Sequence, residues 1–200
     1  MTRAVASSKA DDKRRRLVDA GLELMEELPY ADITVAMIAE RAGMARSLVF
    51  YYFEDKETLF HSVVRDFLDE VRRLFEVNVI EEAQDPRSWM RREVDVFLDF
   101  MSAHPQAMAT IMSQGWEVEP DRAGSTMMDF TAGRVQQALG LPPQDELMDA
   151  ALHSWAYHCV DLAIRTQKSS LQSERTVIAA LLVDQLDAVL TTLNTAERST

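Results

Sequence analysis

A short stretch near residue 50 carries side chains of the types that read DNA. Arg46 can donate to guanine, the Ser47 hydroxyl can serve a base or a phosphate, and Leu48 can touch a thymine methyl group. Tyr51 and Tyr52 follow, and two adjacent tyrosines cannot both face the core of a short helix. We therefore predict base contacts from Arg46, Ser47, Leu48 and Tyr51, whereas the plainer interpretation of the two tyrosines is packing.

Two short helices joined by a tight turn would position these side chains. Thr34 stands where a first helix needs an N-cap, and helical spacing places four apolar residues on one of its faces, namely Val35, Ile38, Ala39 and Ala42. Gly43 suits a left-handed helix end. A second helix then begins near Ala45 or Arg46, with a predicted buried stripe of Val49, Phe50 and Phe53. This arrangement is a helix-turn-helix, whose second helix can enter a major groove.

Several hydroxyl and basic residues around this motif are candidates for phosphate contacts. Thr34, Tyr52 and Lys56 lie within or next to the motif. A basic run opens the preceding helix, and we predict that Lys13, Arg14 and Arg15 contact phosphate or the minor groove. The alternative is a solvated basic surface. The run has four cations, Lys13 to Arg16, which oppose the helix dipole at a helix start, so helix propensity alone does not favour them there.

The motif resembles the DNA-binding signature of the tetracycline-repressor (TetR) family over about residues 17–63. The matching segments are Thr34-Val35, Ile38-Ala39, Arg41-Ala42-Gly43, Phe50-Tyr51-Tyr52-Phe53, Asp55-Lys56-Glu57 and Leu59. The resemblance implies backbone contacts from Tyr52 and Lys56. The sequence departs from the family pattern at Ala45, which lacks the usual hydroxyl, at Phe50 in place of tyrosine, and at Pro29 in place of glycine.

The charge of the chain is divided unevenly along its length. The net charge is −12, yet residues 1–53 contain eight basic and eight acidic residues, so the remaining 147 carry all of it. A neutral N-terminal part can approach phosphate while an acidic body stays away from the duplex. The one cysteine, Cys159, cannot form an intramolecular disulfide and suits a reducing cytoplasm. We expect no secretory signal, no membrane span and a cytoplasmic protein.

Helical periodicity continues to the C-terminus without strand signals, so we predict an all-α fold of about nine helices. The expected organisation is a flexible basic arm over 1–9, a helix-turn-helix domain over 10–55, and a ligand-binding and dimerisation domain over 56–200. A long helix from Lys56 to the mid-seventies would be the continuous element that links the last two parts.

The middle of the chain is rich in aromatic and methionine side chains, which suit a pocket for a largely apolar ligand. For any single residue, ordinary core packing is the competing interpretation. The candidates are Phe67, Phe97, Phe100, Met101, Met108, Ile111, Met112, Trp116, Met127, Met128, Phe130, His153, Trp155, Tyr157 and His158.

The last two predicted helices have apolar faces too wide to be covered by one neighbouring helix. We predict a four-helix interface in a homodimer, which the resemblance also implies; a larger intramolecular core is the alternative. The predicted interface residues are Leu152, Trp155, Cys159, Val160, Ile178, Leu182, Leu186, Val189 and Leu193.

Other chemistry has little support in the sequence. His153 and His158 are five residues apart, which is poor spacing for a shared metal on one helix face, and no zinc motif is present. We expect neither a metal nor a cofactor, and a lone cysteine on an apolar helix is usually inert. No nucleophile–base or carboxylate–histidine motif suggests an enzyme acting in the central cavity.

We therefore predict a ligand-responsive transcriptional regulator, a repressor that binds a palindromic operator as a homodimer and that a small apolar effector releases. The alternatives are an activator, a DNA-binding protein without an effector and, least favoured, an all-α enzyme.

Overall fold

A computed structural model describes residues 2–77, 85–115, 126–141, 146–167 and 174–197, and within these ranges the regular structure is helical. The all-α prediction of about nine helices is confirmed. A short 3₁₀ turn spans Tyr30–Asp32. The helices are α1 (Thr2–Glu27), α2 (Val35–Arg41), α3 (Arg46–Tyr52), α4 (Lys56–Val77), α5 (Pro86–Ala103), α6 (Pro105–Gln114), α7 (Met127–Leu139), α8 (Glu146–Gln167) and α9 (Arg175–Glu197).

The chain forms two compact units. The N-terminal unit comprises residues 1–70 and 106–121, and the second unit, called the bundle below, comprises 71–105 and 122–200. The division therefore falls within α4. The domain division predicted at residue 55 follows the DNA-binding motif rather than packing, and it stays a prediction.

Tight packing between α1 and α4 supports the N-terminal unit. Leu17, Leu24 and Met25 of α1 are completely or almost completely buried. Gly21 lies on the same face, and a Cβ atom there would come within 2.7 Å of the Val63 Cγ2 atom. Because valine is stiff at χ1, it cannot easily move aside, so glycine permits this close approach.

The start of α1 differs from the predicted arm. Residues 2–9 continue α1 as helix instead of forming a separate flexible segment. The segment is rich in alanine and contains neither glycine nor proline. Its composition therefore allows the helix to extend toward the N-terminus.

Four helices pack together in the bundle. Helix α5 contacts α7, α8 and α9, while α8 also contacts α7 and α9. Arg87 at the start of α5 pairs with Asp184 and Asp187 of α9, and Arg175 at the start of α9 pairs with Asp99 near the end of α5. These pairs show that α5 and α9 run antiparallel.

Local sequence explains where the bundle helices begin and end. Asp85 accepts a hydrogen bond from the Arg87 backbone at 3.1 Å, which starts α5 before proline. Thr126 and Asp129 form a reciprocal capping box at the start of α7. Gly140 ends α7 with φ 63°.

Helix α9 is the element that bears on the expectation of no membrane span. Its segment Arg175–Leu193 is long and apolar enough to cross a bilayer by length and composition alone. The core helix of a globular domain passes the same test. Leu182 and Leu186 of α9 are buried, and its Asp184 and Asp187 pair with Arg87, as expected for a helix packed in a protein core.

Candidate nucleic-acid interface

The turn between α2 and α3 has the geometry that its sequence predicts. The Thr34 hydroxyl oxygen accepts a hydrogen bond from the Met37 backbone at 3.2 Å, so the N-cap prediction is confirmed. Gly43 has φ 64°, and its backbone N–H donates to the Glu40 carbonyl at 3.0 Å. The Met44 N–H donates to the Ala39 carbonyl at 2.8 Å, which closes the end of α2.

Helix α3 presents most of its residues outward. Val49 is buried and anchors the helix, whereas Arg46 and Ser47 are exposed and Leu48 is half-buried. Tyr51 is 76% exposed. The structure therefore places all four predicted base-reading residues on the outer part of one short helix, although their contacts with bases stay a prediction.

Phe50 was predicted to be buried, and that prediction is wrong. Its side chain is 49% exposed. Val49 and Phe50 are adjacent in the sequence and therefore lie about 100° apart around the helix, so this short element cannot bury both on the same side. The Arg46 guanidinium carbon lies 5.8 Å from the Phe50 ring centre, close enough for a cation–π contact.

The two tyrosines differ in exposure. Tyr52 is half-buried, and its ring meets Tyr51 edge-on at 5.0 Å between centres. Tyr52 is therefore partly a packing residue, while Tyr51 extends into solvent. This arrangement is consistent with the expectation that at least one of the pair is exposed.

Lys56 stabilises the turn before α2 through hydrogen bonds. Its ammonium donates to the carbonyl oxygens of Tyr30 at 2.7 Å and Ile33 at 2.9 Å, and it lies 3.7 Å from the Tyr30 ring centre. Burial lowers the pKa of Lys56, and the nearby Asp32 carboxylate opposes that shift. An ammonium has three N–H donors, so these two hydrogen bonds leave one for a phosphate.

The basic run of α1 divides into inward and outward side chains. Lys13 and Arg15 are exposed, and Arg15 lies 3.9 Å from Asp12. Arg14 instead donates to the Ser62 hydroxyl at 2.8 Å, with its guanidinium carbon 4.9 Å from the Phe53 ring centre. These inward contacts make Arg14 the least accessible of the three phosphate ligands predicted on α1.

Arg16 and Arg41 have structural positions that the sequence does not reveal. Arg16 donates to the Ala42 carbonyl at 2.6 Å, at the C-terminal end of α2. Arg41 pairs with Glu23 at 3.2 Å and Glu27 at 2.8 Å on α1. Both contacts join α2 to α1 and so stabilise the helix against which α3 packs.

The predicted pocket residues are divided between the two units. In the N-terminal unit, Phe67, Met108 and Ile111 are buried and Met112 is half-buried. In the bundle, the buried ones are Phe100, Met101, Met127, Met128 and Trp155, and the half-buried ones are Phe97, Phe130, His153 and Tyr157. His158 is exposed, so it does not line an enclosed cavity within the chain. Trp116 lies outside the described residues.

Histidine and tryptophan in the bundle make specific contacts. The two ring nitrogens of His153 lie 3.0 Å from Asp129 and 3.3 Å from Asp149. The Trp155 indole N–H donates to the Leu182 carbonyl at 2.9 Å, which joins α8 to α9. Trp155 thus belongs to the α8–α9 contact, and His153 to a polar link between α7 and α8.

The bundle contains a buried polar cluster that no local sequence pattern predicts. Glu93 and Arg134 form an ion pair at 3.1 Å, with side chains only 10% and 13% exposed. Burial raises the pKa of Glu93, while the hydrogen bond from Arg134 acts in the opposite direction. Arg134 also lies 5.7 Å from the Trp89 ring centre. The Trp89 indole nitrogen is buried without an acceptor among the residues that the structure describes.

Most of the residues predicted for the dimer interface are buried within the single chain. Within a single chain Leu152, Trp155, Cys159, Val160, Ile178, Leu182 and Leu186 are buried, and Val189 and Leu193 are half-buried. They therefore form intramolecular core, because α8 and α9 turn these faces inward. The exposed apolar residues of the two helices are Leu147 (63%), Val177 (61%) and Leu181 (44%).

Cys159 is buried as a free thiol. Burial raises its pKa to about 12, so the reactive thiolate is scarce at neutral pH. Over the described ranges, no group of three or more His, Cys, Asp or Glu side chains is placed to hold a metal ion.

Comparisons with known proteins agree with this architecture. Residues 17–63 match the bacterial regulatory proteins of the tetR family, which are the residues for which the sequence indicates the resemblance. The HTH-type transcriptional regulator BetI of Stenotrophomonas maltophilia is 32% identical over 96 residues, covering 48% of this chain and 49% of that protein. The HTH-type transcriptional regulator EthR of Mycolicibacterium smegmatis is 25% identical over 187 residues, covering 92% of this chain and 81% of that protein.

A solved structure extends the likeness to the fold. A tetR-family transcriptional regulator from Streptomyces coelicolor superposes with a TM-score of 0.74 at 17% identity, covering 90% of this chain and 83% of that one. Identity at that level is informative about fold alone. The match over the helix-turn-helix, the alignment along most of the chain and the shared fold together support a regulator of the TetR family of bacterial regulatory proteins.

Proposed function

We infer that this chain is a DNA-binding transcriptional repressor that reads its operator with α3. The observation that carries the proposal is the outward face of α3, where Arg46, Ser47, Phe50 and Tyr51 are exposed above a buried Val49. A short helix that is anchored from one side and displays polar and aromatic groups on the other suits insertion into a major groove.

The side chains of this face divide by chemistry. Arg46 is the candidate for guanine, and its contact with Phe50 restricts the guanidinium before DNA arrives. Leu48, Phe50 and Tyr51 supply apolar surface for thymine methyl groups, and Ser47 completes the base-reading set.

A second set of residues suits the phosphate backbone. Tyr52 is the last residue of α3, Thr34 and Lys56 lie at the starts of α2 and α4, and Lys13 and Arg15 are exposed on α1. We retain Arg14 as a weaker candidate, because its bond to Ser62 would have to break or be shared. Such contacts set the register of the protein on the duplex and contribute the salt-dependent part of binding.

The protein would act as a homodimer on a palindromic operator. Helix-turn-helix readers pair so that their recognition helices lie about one duplex turn apart. The large apolar residues of α8 and α9 that remain exposed in a single chain offer a self-complementary surface, and they are Leu147, Val177 and Leu181. This face replaces the buried set that the sequence suggested.

A small, largely apolar effector is the proposed inducer. Buried methionines of the bundle, such as Met127 and Met128, can repack around different apolar shapes. The buried Trp89 N–H offers a hydrogen bond to a ligand oxygen. If the effector weakens DNA binding through a coupling of about 1–3 kcal/mol, DNA must weaken effector binding equally.

The alternatives keep the DNA-binding surface but change its use. An activator would read the same operator at a different distance from a promoter, and an effector-independent regulator would have a bundle that is only core. The absence of a suitable catalytic constellation in the sequence disfavours an enzyme. A cytoplasmic location follows from a role on DNA.

Selection of bound duplexes from a random pool at a stated salt concentration tests the proposal. Wild-type protein should enrich a palindromic or near-palindromic motif, and Arg46→Ala should lose preference at one position of each half-site. Arg165→Ala serves as the control, because that arginine is 72% exposed and belongs to α8 of the bundle, not to the helix-turn-helix. Binding that shows no enriched motif and only fades with salt would overturn the assignment of α3 as a specific reader.

A further inference from the structure

The bundle contains a cavity that the proposed function does not use. It lies where the ends of α5 and α8 meet the start of α9, and its volume is about 240 Å³. Its apolar wall consists of Leu98 and Met101 from α5, Ala163 from α8 and Ile178 from α9. All four side chains are nearly or fully buried. The cavity therefore has walls from three helices of the same compact unit.

One edge of this cavity carries neutral hydrogen-bonding groups. The Gln167 side-chain nitrogen donates to the Met101 backbone carbonyl, which fixes the amide at the end of α8. An amide held by its nitrogen offers its oxygen as an acceptor. Ser102 lines the same edge with an exposed hydroxyl, which can donate or accept. Together they can satisfy both functions of one ligand hydroxyl.

The charge at the edge of the cavity is already balanced. Arg175 also lines it, but its guanidinium pairs with the Asp99 carboxylate and donates to the Asp95 backbone carbonyl at 2.6 Å. The Asp95 carboxylate lies 4.0 Å from the same guanidinium. An anionic ligand would face two carboxylates, and a cationic one would compete with Arg175. Both charged classes are therefore disfavoured.

We propose that this cavity binds a neutral monohydroxylated molecule, with an apolar ring or short chain against Leu98, Met101, Ala163 and Ile178. The volume corresponds to roughly eight water molecules in the liquid and is below the ~300–1,000 Å³ of pockets for drug-sized ligands. It therefore suits about ten non-hydrogen atoms or fewer. This site is separate from the proposed reading surface of α3, and binding there requires no DNA.

Phenol is a suitable probe, with benzoate as its charged counterpart of similar shape. In a titration of the full-length protein without DNA, followed by NMR, phenol should saturate one site per chain at about 10 mM or below. Benzoate should bind at least tenfold more weakly. No saturable phenol binding, or equal binding of benzoate, would overturn the proposal.

Two substitutions on α8 locate the binding site. Ala163→Leu fills the cavity, so phenol affinity should fall at least tenfold while thermal stability is kept or raised. Ala156→Leu is the matched control, because Ala156 is buried one heptad earlier on α8 and does not line the cavity. It should lower stability by overpacking and leave phenol binding intact.

A surface variant keeps the test decisive if the buried substitutions disturb folding. Ser102→Ala changes an exposed residue and should weaken phenol binding about three- to tenfold, because it removes one hydrogen bond. Unchanged phenol affinity in both Ser102→Ala and Ala163→Leu would place the probe elsewhere and refute this site. The duplex-selection experiment is unaffected by either outcome.

Discussion

Basic side chains have different partners in the two units. In the N-terminal unit, three of them donate to neutral oxygen atoms, namely Arg14 to Ser62, Arg16 to Ala42, and Lys56 to Tyr30 and Ile33. In the bundle, three arginines bind carboxylates, namely Arg87 to Asp184 and Asp187, Arg134 to Glu93, and Arg175 to Asp99.

The difference has a consequence for charge. A cation bound to a carbonyl or hydroxyl oxygen keeps its field, whereas one paired with a carboxylate is neutralised. The N-terminal unit can therefore use cations to join its helices and still present positive potential to a duplex. Two arginines of this unit are exceptions, because Arg41 pairs with two glutamates and Arg15 lies 3.9 Å from Asp12. The arrangement explains how a chain of net charge −12 can approach DNA.

The largest expected change in stability comes from breaking an arginine–carboxylate pair of the bundle. Arg134→Ala leaves the buried Glu93 without its partner and should lower the free energy of unfolding by about 3–5 kcal/mol. Urea denaturation at pH 7 measures the change. Arg87→Ala is the control. More than half of the Arg87 side chain is exposed, so its ion pair should contribute about 1 kcal/mol or less to stability. Equal losses in the two variants would contradict the distinction between buried and surface pairs.

The next effect concerns the positive side chains of the N-terminal unit. Lys56→Met should cost about 1.5–3 kcal/mol of stability, because charge-assisted hydrogen bonds to two carbonyl oxygens are lost. If Lys56 also contacts a phosphate, the dependence of DNA affinity on salt should become shallower by about one ion. Denaturation and binding over a salt series measure the two roles separately. An unchanged salt slope would confine Lys56 to its structural role.

Much of the first unit follows from local sequence. The backbone geometry at Thr34 and Gly43 could be predicted from the sequence. An N-cap and a left-handed turn each require particular residue types within a few positions of one another. The position of Phe50 could not be predicted in the same way. A helix of seven residues is too short for periodicity to decide between two adjacent apolar side chains.

The packing of the bundle was harder to predict for two reasons. Some of its interacting residues are far apart in the sequence, and some of its helices do not differ clearly in polarity between one face and another. Glu93 and Arg134 are 41 residues apart, so no local pattern joins them. Helices α8 and α9 are apolar on more than one face, and periodicity then cannot distinguish the core side from the outer side. The buried Leu182 and the exposed Leu181 are neighbours on the same helix.

Arg46→Ala tests whether the exposed cations of the first unit act on DNA rather than on folding. Affinity for the selected duplex should fall by about 1–3 kcal/mol, with the loss concentrated at one base pair. Stability should change by less than about 0.5 kcal/mol, because Arg46 is exposed. Arg15→Ala should instead weaken all duplexes alike. If Arg46→Ala also weakened every sequence equally, the assignment of Arg46 to base reading would fail.

The smallest effect concerns a surface carboxylate of the bundle. Hydrogen bonds from Thr126 lower the pKa of Asp129, and His153 contributes in the same direction. A carboxyl whose pKa is lowered by folding stabilises the protein above its unfolded pKa near 3.8, and the contribution is lost as the pH falls through the folded pKa. Asp129→Asn should therefore cost about 1 kcal/mol or less at pH 7 and less still in acid, since the side chain is about half exposed. Thermal unfolding of both proteins at pH 7 and pH 3 measures this, and a stability difference that grows on acidification would contradict the capping role.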